Sequence, residues 1–419
     1  MLKKISKGII VSVLWWFVSR YQKKFDPIVI GVVGSVGKTG TKRAIAKVLE
    51  SEKTVAWQDG NYNDIVTVPL VYFGLTEPSL FNPFAWVKVI FKMISALSKP
   101  KGVDVVVLEL GTDAPGQIGA FNNRLKLDYG VVTAISHEHM ENFDDLDSVA
   151  KEEFAIAEYT RQLYVHRQVE KDGFTKQLVE YETYGGVSGS ESNFTYQDNQ
   201  LIVETGRDIY KIKTLLIGEH QYDALVIAIL IAEKLELSKD KIKSAVQAIK
   251  PMSGRMQSLR GKDGSLIIDD TYNSSPNAVK AALDYVYASE IKRKIVILGN
   301  MNEMGQISKE LHQDVGEYCD PKKIKLLITL GKDANKYIAS SAEKKGCKVV
   351  RMENPKLIGE YLADMELSNT IILFKGSQNG VFLEEAIKPI LKDKADSVML
   401  VRQSEYWMDQ KAKQFEGLS

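Results

Sequence analysis

An apolar run, a glycine-spaced turn and an amphipathic run follow one another in "VIGVVGSVGKTGTKRAIAKVLE", residues 29–50. This order leaves the chain little freedom. A strand apolar on both faces feeds, through a tight turn, a helix packed back on the same sheet, which is the building unit of parallel α/β proteins. The turn also carries chemistry. The backbone N–H groups of Gly34, Ser35, Val36, Gly37, Lys38, Thr39 and Gly40 lie at the positive end of the helix and can cradle phosphates. Lys38 adds a mobile positive charge for the β- and γ-phosphates, and the Thr39 hydroxyl is spaced to ligate magnesium. The full P-loop pattern would place a glycine at position 32, where Val32 stands, so the motif is the shorter G-x-x-G-K-T. It implies a bound nucleoside triphosphate, against the plainer reading of a glycine turn that packs a helix on a strand.

At 419 residues the chain is long for one domain. Strand-like runs at 28–33, 103–111 and 129–135 alternate with helical segments, while 193–220 alternates polar and apolar residues like a small antiparallel patch. Two helices follow to residue 250. "KPMSGRMQ" (250–257) breaks the pattern, and a second strand–helix series begins. The expected fold is α/β, with a P-loop-containing central domain of mostly parallel sheet (27–250) and a C-terminal Rossmann-like α/β domain (251–403). A helical, exposed tail (404–419) is expected after it. The net charge of +1 gives no footprint for nucleic acid. Cys319 and Cys347 have no zinc or disulfide spacing and read as structural thiols in a reducing compartment.

Before the cradle, an apolar stretch from Gly8 to Val18 is flanked by Lys3, Lys4, Lys7 and by Arg20, Lys23, Lys24. It is short for a membrane span and lacks a signal-peptide cleavage site. Within residues 1–26 it forms a helix with two readings: it lies on the cytoplasmic membrane face with Trp15 and Trp16 at the interface, or it docks on the protein. In 81–102, the residues Phe84, Val87, Phe91, Ile94 and Leu97 share a helical face. Core packing is the expectation; an extended membrane-facing surface, or pairing with the N-terminal helix, is the alternative.

Polar residues at strand ends mark the place where a doubly wound sheet puts its site. Glu109 closes a valine run and reads as a metal ligand, or as a loop cap. His139 follows the strand at 129–135 and can join a magnesium site or be structural. Lys151, Glu152 and Glu153 read as opening a helix, where solvated charges are the default.

The order of motifs resembles the Mur ligases, and within them the D-alanyl-D-alanine-adding branch. The likeness runs over 28–395 through "IGVVGSVGKTGTK", "GNYNDIVTVPL" (60–70), "VVLELGTDAPGQI" (106–118), "TAISHEHMENFDDLDSVAKEE" (133–153), "GEHQYDALVIAILIAEKL" (218–235), "SGRMQ" (253–257), "IIDDTYNSSPNAVKAAL" (267–283), "VILGNMNEMGQISKELHQDVG" (296–316) and "LFKGSQNGVFLEEAI" (373–387). The resemblance implies ATP and Mg2+ as cofactors. Lys38 and Thr39 would serve phosphate and magnesium, Glu109 and His139 a second magnesium, and Arg255 the γ-phosphate across a domain cleft. Asp270 would bond the ribose, Tyr272, Asn273 and Gln221 would line the nucleotide site, and Asn61 and Asn63 would lie near substrate.

Three departures stand out. Glu153 falls where the family carries a carbamylated lysine; if it replaces that charge in catalysis, activity should survive Glu153→Asp poorly and Glu153→Gln hardly at all. His220–Gln221 replaces a histidine–asparagine pair, and Ala224 an asparagine, so adenine readout is altered. The uridine-nucleotide-binding domain that usually precedes the cradle is not found before residue 28.

The implied reaction is ATP-dependent amide-bond formation through an acyl phosphate, joining D-alanyl-D-alanine or another amino acid to a muramoyl-peptide precursor of peptidoglycan. Such an enzyme works in the cytoplasm, here with a possible place at the inner membrane face. The rivals are a polyglutamate- or cyanophycin-type ligase and a nucleotide-binding membrane-associated scaffold that has lost catalysis.

Overall fold

The computed structural model describes all residues except 1, 61, 80–81, 187–191, 198–199, 379 and 416–419, with residues 2–7 described in backbone only. The chain divides into two compact units. One comprises Met1–Ile135, Asn142–Thr214 and Glu219–Ile249; the other comprises Ser136–Glu141, Leu215–Gly218 and Lys250–Ser419.

The first unit is built on strands β1 (Ile28–Val33), β2 (Val55–Ala56), β3 (Val105–Glu109), β4 (Leu127–Val132), β5 (Thr160–His166) and β6 (Glu182–Tyr184). They form one sheet in the order β2-β3-β1-β4-β5-β6, and every pair is parallel. Val29 to Val33 are buried, as a strand covered on both faces requires. The order reverses at β1, so the crevice expected at a switch point lies beyond the carboxyl ends of β3, β1 and β4. The helix Lys38–Leu49 packs against the buried helix Glu219–Lys234. The alternating segment forms an antiparallel sheet of β7 (Asn193–Gln197), β8 (Gln200–Glu204) and β9 (Ile209–Ile212).

The N-terminal helix Leu2–Phe25 is docked on this unit. Leu14, Trp15, Phe17, Val18 and Tyr21 are buried. The Trp15 Nε1–H donates to Ile65 O (2.9 Å), and the Tyr21 hydroxyl accepts from Val103 N (2.9 Å). Trp15 is therefore a protein contact rather than an interfacial anchor, while Trp16 faces outward. The helix Pro83–Ser98, capped by Asn82 (accepting from Ala85 N, 3.1 Å), corrects the expected core stripe. It buries Trp86, Val89 and Met93, whereas Phe84, Val87, Phe91 and Ile94 are exposed.

The second unit carries β10 (Gln257–Arg260), β11 (Leu266–Asp270), β12 (Arg293–Gly299), β13 (Leu326–Leu330), β14 (Val349–Met352) and β15 (Thr370–Lys375). Their order is β10-β11-β15-β12-β13-β14, antiparallel only between β10 and β11. Alternate strand residues feed two cores, Ile268, Val296, Leu327 and Leu373 on one face and Ile267, Ile295, Ile328 and Phe374 on the other. The tail helix Glu405–Phe415 is largely exposed, as expected, but it docks one face. Lys411 is buried with its Nζ 2.8 Å from Glu384 Oε1 and 2.7 Å from Glu385 Oε1, and the rings of Trp407 and Phe415 stand against Phe382. Both cysteines are free and buried; burial pushes the Cys319 thiol up to about 12, which leaves it unreactive.

Candidate active site

The turn after β1 is held from below by three elements. The backbone N–H of Ser35 donates to Ala134 O (2.8 Å), and the Thr133 hydroxyl donates to Val36 O (2.6 Å). At Gly34, φ is +125°, and a Cβ there would sit 2.3 Å from Thr133 Oγ1 and 2.9 Å from Ala134 N, so only glycine lets the turn lie this close to β4. Gly37, at φ +92°, starts the helix Lys38–Leu49 and turns the first helical N–H groups toward the crevice. The Lys38 ammonium folds over the turn, donating to Gly34 O (2.5 Å) and Ser35 O (3.3 Å).

The third support is Glu153, whose Oε2 accepts from the Gly34 N–H at 2.9 Å in a buried position. Glu152 and Glu153 close the helix Leu146–Phe154 rather than open one, and both are buried rather than solvated. A carboxylate is disfavoured at a helix C-terminus, so these two need strong local partners. Glu152 has them in Gly116 N (2.6 Å), Ile118 N (2.7 Å) and the Thr112 hydroxyl (3.2 Å). Lys151 points outward.

Glu109 lies opposite Val32 in the β1–β3 register, level with the start of the turn, and is 3% exposed. Its Oε1 accepts from the Thr39 hydroxyl at 3.3 Å. Its Oε2 lies 3.0 Å from the Nζ of buried Lys42 but accepts no hydrogen bond. Lys42 also donates to Gly60 O (3.2 Å). A carboxylate and a hydroxyl oxygen converging beside a phosphate cradle, with one buried carboxylate oxygen incompletely satisfied, suit a hard divalent cation. Among the described residues no three His, Cys, Asp or Glu side chains converge as a metal cage. The donor set therefore fits magnesium that keeps water and phosphate oxygens as further ligands. Asn63 covers the same strand end, its carbonyl accepting from Gly111 N (2.9 Å) and its amide packed on the Gly111 Cα. Asn61 lies outside the described residues, and Gln221 sits in the first turn of the helix Glu219–Lys234.

Thus the first unit brings together Lys38, Thr39, Glu109 and Glu153 around one turn. His139 lies in the segment Ser136–Glu141, which groups with the second unit. At φ +53°, His139 places Nδ1 3.1 Å from Glu303 Oε2, and this hydrogen bond holds the Glu303 carboxyl below its ordinary range. Met140 N donates to Glu303 O (3.1 Å) beside it.

The β10–β11 hairpin gathers the second set. Tyr272 N donates to Gly254 O (3.0 Å), and the Arg255 guanidinium lies 4.1 Å from the Tyr272 ring centroid. Asp270 accepts from Met256 N (3.1 Å) and pairs with Lys375 at 2.6 Å, while Lys375 also donates to Asn273 O (3.1 Å). Sequence reasoning missed Lys42, Thr133, Glu303 and Lys375. Lys42 carried a signal, since it follows Lys38 by four residues and so shares its helix face.

Comparison with known proteins extends this picture to the whole chain. Residues 32–232 match the Mur ligase middle domain, and residues 254–378 match the glutamate ligase domain of Mur ligases. A relative in Bacillus subtilis (strain 168), named UDP-N-acetylmuramoyl-tripeptide--D-alanyl-D-alanine ligase, is 25% identical over 380 residues, covering 89% of this chain and 78% of the relative. The protein of that name in Synechocystis sp. is 26% identical over 392 residues, 90% of this chain and 78% of the relative. The fold is shared with the crystal structure of MurF ligase from Thermotoga maritima in complex with ADP (TM-score 0.70, 21% identity, 98% of this chain and 85% of that one). It is shared at greater distance with folylpolyglutamate synthase from Thermotoga maritima (TM-score 0.57, 14% identity, 95% of each chain). With both domains matched in order over most of its length, the chain belongs to the Mur ligase family.

Proposed function

We propose that this chain is an ATP-dependent, ADP-forming carboxylate–amine ligase that joins D-alanyl-D-alanine to a muramoyl-peptide precursor of peptidoglycan in the cytoplasm. The observation that carries the reading is the buried Glu109–Thr39 pair set against the Lys38 cradle, within a chain matched to the family in both domains. The names of the relatives support the dipeptide as the incoming amine.

A carboxylate resists attack by an amine because its charge is shared by two oxygens. Transfer of the γ-phosphoryl of ATP to it gives an acyl phosphate, which the amine attacks with expulsion of phosphate. Such transfer needs positioning and positive charge more than covalent help. The Gly34–Thr39 turn binds and orients the phosphates, and Lys38 exchanges loop carbonyls for phosphate oxygens. Thr39 and Glu109 would hold magnesium, which neutralises charge on the migrating phosphoryl group when bound. Arg255, its guanidinium 4.1 Å from the Tyr272 ring centroid, would be the second cation for that group. Glu153 fixes the turn through Gly34 and keeps a negative charge where the family has a carbamylated lysine.

The test supplies the purified chain with ATP, Mg2+, a muramoyl tripeptide and a panel of amines that includes single and paired D-alanine. ADP release that needs both acceptor and dipeptide, with the amide product identified by mass spectrometry, is expected. Turnover with glutamate in place of the dipeptide, or none with any pair, overturns the reading.

A further inference from the structure

The helix Pro83–Ser98 already has a face for the protein in Trp86, Val89 and Met93. Its opposite face is also apolar: Phe84 is 85% exposed and Phe91 66%, with exposed Val87 and Ile94 beside them. These four positions, spaced by three and four residues, form one stripe, and the exposed lysines Lys88 and Lys92 run along its edge. Soluble monomers seldom leave such a stripe in water. The N-terminal helix is joined to this one, because Lys24 Nζ donates to Leu97 O (2.6 Å) and Lys99 O (3.0 Å) at its end. It too exposes apolar side chains, Ile9 and Trp16, with the Arg20 guanidinium 5.1 Å over the Trp16 ring.

Charge identifies the occupant. Residues 2–25 and 83–102 contain ten of the 55 basic side chains and none of the 54 acidic ones, so the rest of the chain is net negative; of the ten, Lys101 is paired with Asp104 at 3.3 Å. A protein partner could match the stripe alone; an anionic bilayer surface matches both the stripe and the one-signed rim. No helix among the described residues is long and apolar enough to cross a membrane, which suits a helix lying in the interface.

We propose that the Phe84–Val87–Phe91–Ile94 face, with Lys88 and Lys92, docks this chain on an anionic lipid surface. The inference is independent of the chemistry proposed above. The experiment is flotation of the full chain with vesicles of phosphatidylcholine alone or mixed with phosphatidylglycerol, at low and high salt. Binding to the mixed vesicles that weakens with salt is expected. Phe84→Ser with Phe91→Ser should lower partitioning about 100-fold, and Lys88→Gln with Lys92→Gln about 30-fold. Both pairs are exposed, so unchanged thermal melting and unchanged ADP release keep the result interpretable. No binding to either vesicle overturns the proposal. So does a lipid-free dimer that the phenylalanine variant dissolves, since the stripe would then be covered by a second copy.

Discussion

Each unit buries a lysine–carboxylate pair at the carboxyl end of a parallel strand, and the two pairs are satisfied to different degrees. In the second unit, both Asp270 oxygens are engaged, by Met256 N and Lys375, and Lys375 has a further acceptor in Asn273 O. In the first unit, Glu109 keeps Oε2 without a hydrogen bond although Lys42 lies 3.0 Å away. A buried charge with incomplete partners is costly. A cation or phosphate-bearing ligand would complete the set around Glu109, so the two pairs set an open carboxylate oxygen against a closed one.

The largest expected break is at the cradle. Lys38→Ala should lower ligase turnover on the order of 10³-fold while thermal melting stays close to that of the parent chain; undiminished ADP release would remove the cradle from the chemistry. Next come the pairs themselves. Lys42→Met and Lys375→Met each strand a buried carboxylate and should cost about 3 kcal/mol. Adding Mg2+ with a non-hydrolysable ATP analogue should raise the melting temperature more in Lys42→Met than in the parent chain, and no more than in the parent chain in Lys375→Met. Equal shifts in the two variants would put Glu109 among the structural acids.

Glu153 gives a finer division. Glutamine keeps an acceptor for the Gly34 N–H, so Glu153→Gln should cost about 1 kcal/mol of stability. If the negative charge is required, turnover should still fall roughly 10²-fold. Full turnover in this variant would reduce Glu153 to a tie for the loop.

The strand, turn and helix of the cradle were legible because each is specified locally: apolar residues for a strand covered on both faces, glycines where φ is positive, a lysine and a threonine at fixed spacing. The two-unit α/β layout was legible for the same reason. The helix Pro83–Ser98 was not, because it is apolar on two faces and periodicity then has no phase; only Lys88 and Lys92 mark an outer edge. Burial of Lys411 depends on Glu384 and Glu385, more than twenty residues away, and no local pattern announces a partner so distant. The His139–Glu303 contact joins residues far apart in the chain, so no local pattern announces it. Glu152 and Glu153 close their helix rather than open it because the Asp145–Ser148 capping box starts the helix before them.

The smallest expected effect separates the units by pH. Burial raises the Asp269 carboxyl of β11 from 3.8 to about 7, against the hydrogen bonds from Thr271 that lower it. The folded state then holds the proton over a range in which the unfolded chain has released it, so the second unit should lose stability as pH rises from about 4 to about 7. Asp104, in the first unit, is held down at about 2 by hydrogen bonds from the Thr54 hydroxyl and N–H. Its contribution is present above 3.8 and is lost as pH falls through about 2. Between these limits the first unit should be insensitive to Asp104 while the second loses stability as pH rises. Hydrogen exchange read peptide by peptide at pH 5 and pH 7 would follow the units separately. Asp269→Asn should flatten the response of β11 and its neighbours and leave the β1–β3 peptides unchanged; a slope that persists in the variant would assign it to another group.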